Sequence, residues 1–318
     1  MTEELRNNLV LLKGDCLIES DSIESGSVDL ILTDLPYGTV KDIGGSGAVD
    51  HGMAGKTAWD DAIEPSDVFA IANRILRKNG KLVLFSQEPY TSRLINEAIP
   101  NIPFSYRMIW EKDHFANSLI AKKAPVSYYE DVLVFSKDHD LEGIHPLRAY
   151  SKKVFEFMGV RKAHVKATLG HQRWVHFFQF DGVNNKQFSL CTEATYNELI
   201  SVYGIDKMNG FKTYDELRAI DKQYDSVFNL WEGGKYKSNI LRYKKDYDGY
   251  HPTQKPVLLL EDLIKTFSNE GNLVVDLTMG SGSTGVVAAN TGRKFIGIEK
   301  DDSYFEIARK RIADASAF

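Results

Sequence analysis

The sequence predicts an α/β protein with a mostly parallel sheet covered by helices on both faces, interrupted by a second, smaller domain. Three observations lead to this class. Apolar runs of four or five residues alternate with segments of helical periodicity, the pattern of strands buried on both faces and their crossover helices. Near the C-terminus a Gly-rich turn joins one such run to a helix. Between Leu141 and Tyr247 the alternation gives way to irregular, basic and aromatic sequence, and then resumes.

Leu9-Val10-Leu11-Leu12 reads as a buried strand ended by Gly14-Asp15, with a short helix after it. Val28–Leu32 is a second buried strand, stopped at Asp34-Leu35-Pro36-Tyr37-Gly38, where Pro36 cannot donate to a ladder. Thr39 to Thr57 is Gly-rich and non-periodic, a length that in compact domains marks a lid or mobile loop. Ser66–Leu76 carries Val68, Phe69, Ala72 and Ile75 on one helical face, and Asn79-Gly80 reads as its C-cap. A strand at Lys81–Phe85, a helix at Tyr90–Ala98 and strands at Tyr106–Trp110 and Val132–Phe135 follow. In the inserted segment helices are expected at Thr195–Val202 and Tyr214–Ala219. The alternation then resumes with the helix Val257–Phe267, the strand Leu273–Leu277, the helix Gly285–Thr291, the strand Lys294–Glu299 and a closing helix Ser303–Ile312.

The 318 residues, 43% hydrophobic and 26% charged, are enough for a sizeable core and exclude disorder, collagen and coiled coil. No stretch approaches the roughly 18 consecutive apolar residues of a membrane span, and Met1-Thr2-Glu3-Glu4-Leu5-Arg6 has no signal-peptide pattern, so a cytoplasmic protein with no membrane partner is expected. Cys16 and Cys191 have no framework or zinc-ligand spacing; they read as reduced thiols, with no metal. The net charge of −5 conceals a local imbalance. From His145 to His176, Arg148, Lys152, Lys153, Arg161, Lys162, Lys166 and Arg173 face the single acid Glu156. A second run, Lys235, Lys237, Arg242, Lys244 and Lys245, has no acid before Asp246. With aromatics interleaved, both runs point to phosphate contact at least as readily as to a solvated face.

Gly280-Ser281-Gly282-Ser283-Thr284-Gly285 matches G-x-G-x-x-G, follows a strand and opens a helix, and Glu299 ends the next strand. Glycines let backbone approach a ligand, the helix N-terminus offers free N–H groups, and a carboxylate at Glu299 can accept both hydroxyls of a ribose. A nucleoside cofactor follows. Nicotinamide dinucleotide and S-adenosylmethionine both carry an adenosine ribose, so this segment alone does not separate an oxidoreductase from a methyltransferase.

Asp34-Leu35-Pro36-Tyr37 at a strand end separates them. An exocyclic nucleobase amine is a poor nucleophile because its lone pair is conjugated into the ring, and methylating it requires pulling the nitrogen toward tetrahedral geometry. The Asp34 carboxylate and the Leu35 carbonyl can each accept one N–H, Pro36 fixes the direction of that carbonyl, and Tyr37 offers a ring for stacking. The lone pair is then free to attack a sulfonium methyl.

The chain resembles the DNA amino-methyltransferases of the permuted class, in which the catalytic tetrapeptide precedes the cofactor loop. The matching pieces are Lys13-Gly14-Asp15-Cys16-Leu17, Thr33-Asp34-Leu35-Pro36-Tyr37-Gly38, Trp110-Glu111-Lys112, and Ala121-Lys122-Lys123-Ala124-Pro125 with Glu130-Asp131. His251-Pro252-Thr253-Gln254-Lys255-Pro256 and Asp276-Leu277-Thr278-Met279-Gly280-Ser281-Gly282-Ser283 complete them. Residues 9–135 and 250–312 are covered. The resemblance implies a three-layer, Rossmann-like methyltransferase sheet formed by residues 1–140 and 248–318, with 141–247 as a target-recognition domain. It implies that Asp34, Leu35, Pro36 and Tyr37 are catalytic, with Asp34 making at most a secondary cofactor contact. Asp15 and Cys16 lie by the cofactor adenine, Glu299 holds the ribose, and Thr253, Lys255 and Ser283 lie near the methionine end. Asp276, Gly280, Ser281, Gly282 and Thr284 belong to the cofactor turn. DNA contacts fall to Lys122, Lys123, Arg161, Lys162, Lys166, Arg173, Lys235 and Lys237. One departure is Leu35, where family members usually carry proline; the carbonyl stays but some rigidity is lost.

The expected activity is transfer of a methyl group from S-adenosyl-L-methionine to the N6 amine of adenine in double-stranded DNA, on a base flipped out of the duplex. N4 of cytosine is the alternative target. Asp at the head of the tetrapeptide, the broad Tyr37 surface and a resemblance of Ala121–Asp131 to phage-type adenine methylases favour adenine. A nicotinamide-dependent oxidoreductase and a catalytically silent DNA-binding relative are the alternatives from other classes. The resemblance leaves room for a cognate restriction endonuclease and for a homodimer.

Overall fold

A computed structural model describes residues 2–5, 8–37, 62–116, 121–123, 125–139, 145–180, 188–246, 249–250 and 254–316. The expected lid, Thr39–Thr57, lies outside the described residues. The chain forms two compact units. The larger holds residues 1–76, 80–137 and 227–318; the smaller holds 77–79 and 138–226. Residues 227–246, which the change of sequence pattern assigns to the insertion, fall in the larger unit. There Asn229 N donates to Thr266 O at 2.8 Å, and Ile240–Arg242 joins the sheet.

The described strands of the larger unit are β1 (Thr2–Leu5), β2 (Leu9–Lys13), β3 (Val28–Asp34), β4 (Leu76–Ser86), β5 (Phe104–Ala116), β6 (Ser127–Ser136), β7 (Ile240–Arg242), β8 (Leu273–Asp276) and β9 (Lys294–Glu299). They form one sheet in the order β1-β2-β9-β8-β3-β4-β6-β5-β7. From β2 to β4 every pairing is parallel, whereas β1 with β2, β4 with β6 and β6 with β5 pair antiparallel, and β7 joins β5 in parallel at the margin. Because side chains alternate across a strand, Leu30 and Leu32 of β3 point to one core and Ile31 to the other, and all three are fully buried. The Leu30 face is covered by α8 (Val257–Phe267), α9 (Ser283–Asn290) and α10 (Asp302–Ala315). The Ile31 face is covered by α1 (Cys16–Glu19), α2 (Pro65–Ile75) and α3 (Tyr90–Asn96). Three layers result. Burying each such aliphatic chain is worth about 1.5–3 kcal/mol, so this double core outweighs the propensities of single residues.

Asn79-Gly80 is not the cap of α2. The helix ends at Ile75 and the chain enters β4 at once; Val28 pairs with Leu76 but Leu30 with Lys81, so the intervening residues bulge from the strand with Asn79 at φ 63°. An αL-tolerant Asn before Gly suits either use. In the smaller unit, α4 (Pro146–Met158), α5 (Lys162–Leu169), α6 (Glu193–Tyr203) and α7 (Tyr214–Lys222) surround Val154, Val165, Trp174, Phe177, Tyr196 and Leu199. The sequence pattern marked only α6 and α7, because lysines and arginines hide the apolar stripe of α4 and α5. Among the described residues no helix is long and apolar enough to cross a membrane.

Candidate active site

The site lies beyond the C-terminal ends of the parallel strands. The first described helix after β3, α2, covers one face of the sheet and the helix after β8, α9, the other, so adjacent β3 and β8 form a topological switch point, where open α/β sheets bind ligands. A cavity of about 640 Å³ opens there. Its wall brings together Asp15 and Cys16 after β2, Asp34–Tyr37 after β3, Asp276 ending β8, Gly280, Ser281, Ser283 and Thr284 of the Gly-rich turn, and Glu299 ending β9. Lys255 also lines it. Thr253 lies outside the described residues.

The tetrapeptide is tied down on several sides. Tyr37 Oη donates to Asp34 Oδ1 at 2.6 Å, and the Asp34 carbonyl accepts from Thr278 Oγ1 at 2.9 Å. Leu35 is 2% exposed and packs in the Ile31-side core, so packing supplies the rigidity that a proline ring would have given. The Lys255 ammonium binds Asp34 Oδ2 and stands 3.1 Å from Glu130 Oε2, while Lys112 binds Glu130 Oε1. Lys255 thus faces the Asp34–Tyr37 corner, held between two carboxylates. Burial pushes the Asp34 carboxyl above the usual carboxylate range, against the pull of Lys255. Burial acts the same way on Glu130, but Lys255 and Lys112 outweigh it and hold Glu130 low. Burial disfavours the Lys255 charge, yet Asp34 and Glu130 overcome that and keep it protonated. Burial and the Asp34 charge hold the Tyr37 hydroxyl well above its usual value, so it remains a donor.

The side of the cavity formed by the Gly-rich turn is built around Asp276. Its Oδ1 accepts from Thr33 Oγ1 at 2.8 Å and Thr278 N at 3.2 Å, and its Oδ2 from Thr284 Oγ1 at 2.6 Å. One buried carboxylate therefore locks the strand end, the turn and the start of α9; burial pushes it up to about 6. Glu299 accepts from Gly280 N at 2.9 Å and Asp301 N at 2.8 Å, keeping further lone pairs on the cavity wall. Asp15 caps α1, accepting Leu17 N at 2.9 Å, and burial pushes the Cys16 thiol up to about 12. Gln254 Oε1 accepts from Ser281 Oγ at 3.3 Å, and Gln254 Nε2 has no partner among the described residues. Arg311 of α10 donates to Ser281 O at 2.7 Å and holds the turn from behind.

Some expectations change. Gly282 does not line the cavity. A Cβ there would lie 2.8 Å from Ala308 Cβ, so its role is packing of the turn on α10 at φ 80°. Lys237 is not a surface cation: its ammonium is buried against Asp262, which also accepts from Trp231 Nε1 at 3.0 Å. Arg242 pairs with Glu111 at 3.1 Å, so the second basic run is partly neutralised by acids distant in sequence. Lys122, Lys123, Arg161, Lys162, Lys166, Arg173 and Lys235 are exposed, whereas Arg148 is 2% exposed and donates to Gln179 O at 2.7 Å. Glu130, Lys112 and Gln254 were missed as site residues, although each stands in a motif that the resemblance matched.

The profile of the N6/N4 DNA methylase family matches residues 28–310. The DNA adenine methyltransferase YhdJ of Escherichia coli K12 is 27% identical over 311 residues, covering 97% of this chain and 84% of that protein. The type II methyltransferase M.HindIII of Haemophilus influenzae is 25% identical over 336 aligned positions, covering 94% and 95%. The crystal structure of the M1.HpyAVI–SAM complex superimposes with a TM-score of 0.51 at 18% identity, over 95% of this chain and 97% of that one, a likeness of fold. A nicotinamide-dependent oxidoreductase is thereby set aside: the chain belongs to the N6/N4 DNA methylase family and is an S-adenosylmethionine-dependent DNA methyltransferase.

Proposed function

We propose that the chain methylates the N6 amine of adenine in double-stranded DNA, with Asp34–Tyr37 as the catalytic corner. The observation that carries this reading is the Asp34 carboxylate, 23% exposed at the cavity wall, on a strand whose neighbour leads into the Gly-rich turn. A carboxylate has about four acceptor positions; Tyr37 and Lys255 use two, which leaves room for an amine N–H. The Leu35 carbonyl takes the second N–H, Tyr37 stacks the flipped base, and the nitrogen lone pair is released from the ring. Since the amine sheds its proton only after it becomes cationic, no strong general base is needed.

The residues fit S-adenosylmethionine. Its sulfonium supplies an electrophilic methyl group. Glu299 would hold the ribose hydroxyls, Asp15 and Cys16 would flank the adenine, and the Gly280–Thr284 turn with the Gln254 amide nitrogen, unpartnered among the described residues, would hold the methionine end. Exposed Lys122, Lys123, Lys162, Lys166, Arg161, Arg173 and Lys235 would contact phosphates, with residues 138–226 as the recognition domain. A cytoplasmic enzyme with a nuclease counterpart is the corresponding cellular setting. Adenine is favoured by Asp at the head of the corner and by the named activity of the E. coli relative. The test is digestion of methylated DNA to nucleosides and mass spectrometry. N6-methyladenine is expected; N4-methylcytosine in its place would overturn the base assignment and leave the amine chemistry intact.

A further inference from the structure

Glu130 joins the charged groups of the cavity into one row. On the antiparallel pair β5 and β6, Trp110 lies opposite Glu130, so Lys112, two residues on, shares its face and reaches it diagonally. The Lys112 ammonium binds Glu130 Oε1. Glu130 Oε2 is buried, stands 3.1 Å from Lys255 Nζ and accepts no hydrogen bond among the described residues, whereas Asp34 Oδ2 does accept one from Lys255. Lys255 therefore gives Asp34 a hydrogen bond and Glu130 its charge. Aromatic faces back both cations: Lys112 Nζ lies 5.2 Å from the Trp110 ring centre and Lys255 Nζ 5.1 Å from that of Phe85. The row Lys112, Glu130, Lys255, Asp34 alternates in sign, and all four side chains are largely buried on the cavity wall. Around it stand Tyr37 beside Asp34, Asp276 beyond it, and Asp113, His114 and Lys245 on the Lys112 side. Stability does not explain the outer pair. A buried Lys–Glu pair is commonly no more stable than apolar side chains of the same volume, because desolvation offsets the attraction. Its charge does reach the corner: burial raises the Asp34 pKa, Lys255 lowers it, and the Glu130 carboxylate raises it again. With Glu130 drawing on the same ammonium, Asp34 keeps more of its basicity and accepts an N–H more strongly.

We propose that Glu130 is a positioning residue for methyl transfer: it acts through Lys255, sharing that ammonium with Asp34 so that Asp34 keeps its strength as acceptor of the amine N–H, while Lys112 balances the charge that Glu130 brings. The inference rests on the DNA-methylating reading above. The test compares full-length wild type with Glu130→Gln, Glu130→Asp and Lys112→Met in methyl transfer to duplex DNA across the acid and neutral range. Glu130→Gln is expected to lose roughly 10- to 100-fold in kcat, by analogy with the outer partners of metal ligands, while KM for DNA and for cofactor stays within a few-fold. Its acid limb should move to lower pH, because an anion near Asp34 is gone. In Lys112→Met the limb should move to higher pH, because a cation is gone. Glu130→Asp keeps the charge and should keep the limb with the wild type. A merely structural role would cost rate or stability in all three variants and shift no limb. Cofactor affinity by calorimetry and the thermal transition report folding. If Glu130→Gln does not fold, Glu130→Gln combined with Lys112→Met removes the pair together and should still show the lowered limb. An acid limb that stays with the wild type when Glu130 is neutralised, or that moves the same way as in Lys112→Met, would overturn the assignment. A folded wild type that methylates no DNA would instead overturn the reading on which it rests.

Discussion

At the scale of single residues, charge in the cavity is set by burial and by partners far along the chain. Asp34→Ala is expected to cut turnover roughly 10²- to 10³-fold, by analogy with deleting one preorganised polar contact to the reacting group, while cofactor affinity by calorimetry stays within a few-fold. Lost cofactor binding with turnover near wild type would contradict the role. Because burial raises the Asp34 pKa, turnover should fall on the acid side at a pH above the usual carboxylate range, as protonation removes an acceptor; a flat profile down to pH 4 would contradict it. Asp276 gives a stability signature. Its folded pKa of about 6 exceeds the ordinary 3.8, so the folded state binds the proton more tightly, and this contribution is present at low pH and lost as pH rises through 6. Relative to Asp276→Asn, wild type should lose about 1.4 kcal/mol between pH 5 and pH 7.5 in denaturant titrations. Lys237→Ala should cost about 3–5 kcal/mol by stranding Asp262, with an unchanged DNA salt slope. Asp34 was legible because strand, proline and tyrosine stand together; the Lys112–Glu130–Lys255 chain was not, because its members meet only when β5, β6 and the segment before α8 come together.

At the scale of elements, the buried strands were the most legible part, since Leu9–Leu12, Val28–Leu32 and Leu273–Asp276 are apolar on both faces and no helix has that pattern at that length. The helices α4 and α5 were not, although His145-Pro146 at one start and Gly159 and Gly170 at the two ends are ordinary start and stop signals. The sequence also misassigned what Gly282 is for. The fingerprint suggests backbone approach to a ligand; the structure shows a turn pressed on α10. Gly282→Ala should therefore destabilise by about 2–4 kcal/mol, through left-handed strain and contact with Ala308. Ala308→Gly should recover part of that loss in a double-mutant cycle, and purely additive effects would contradict the contact.

At the scale of the whole molecule, positive charge is gathered locally: residues 145–176 of the inserted unit carry seven Lys and Arg against one Glu, in a chain that is acidic overall. Lys162→Glu with Lys166→Glu should weaken DNA binding and flatten its dependence on salt by about 2 in log–log slope, leaving cofactor affinity unchanged; an unaltered slope would make this face merely solvated. The order of motifs announced that a catalytic corner precedes a cofactor turn, but not which strands become neighbours. The sheet answers that: β8 and β9 fill the gap between β2 and β3. This order has a consequence on the ribosome. At roughly 5–20 residues per second, β8 emerges roughly 10–50 s after β3, and for that interval β2 and β3 each present an open apolar edge to the cell. The cavity that joins Asp34–Tyr37 to the Gly-rich turn and Glu299 cannot be completed until nearly the last strand is made, so a chain stalled in its final fifth would lack that cavity and be prone to aggregate.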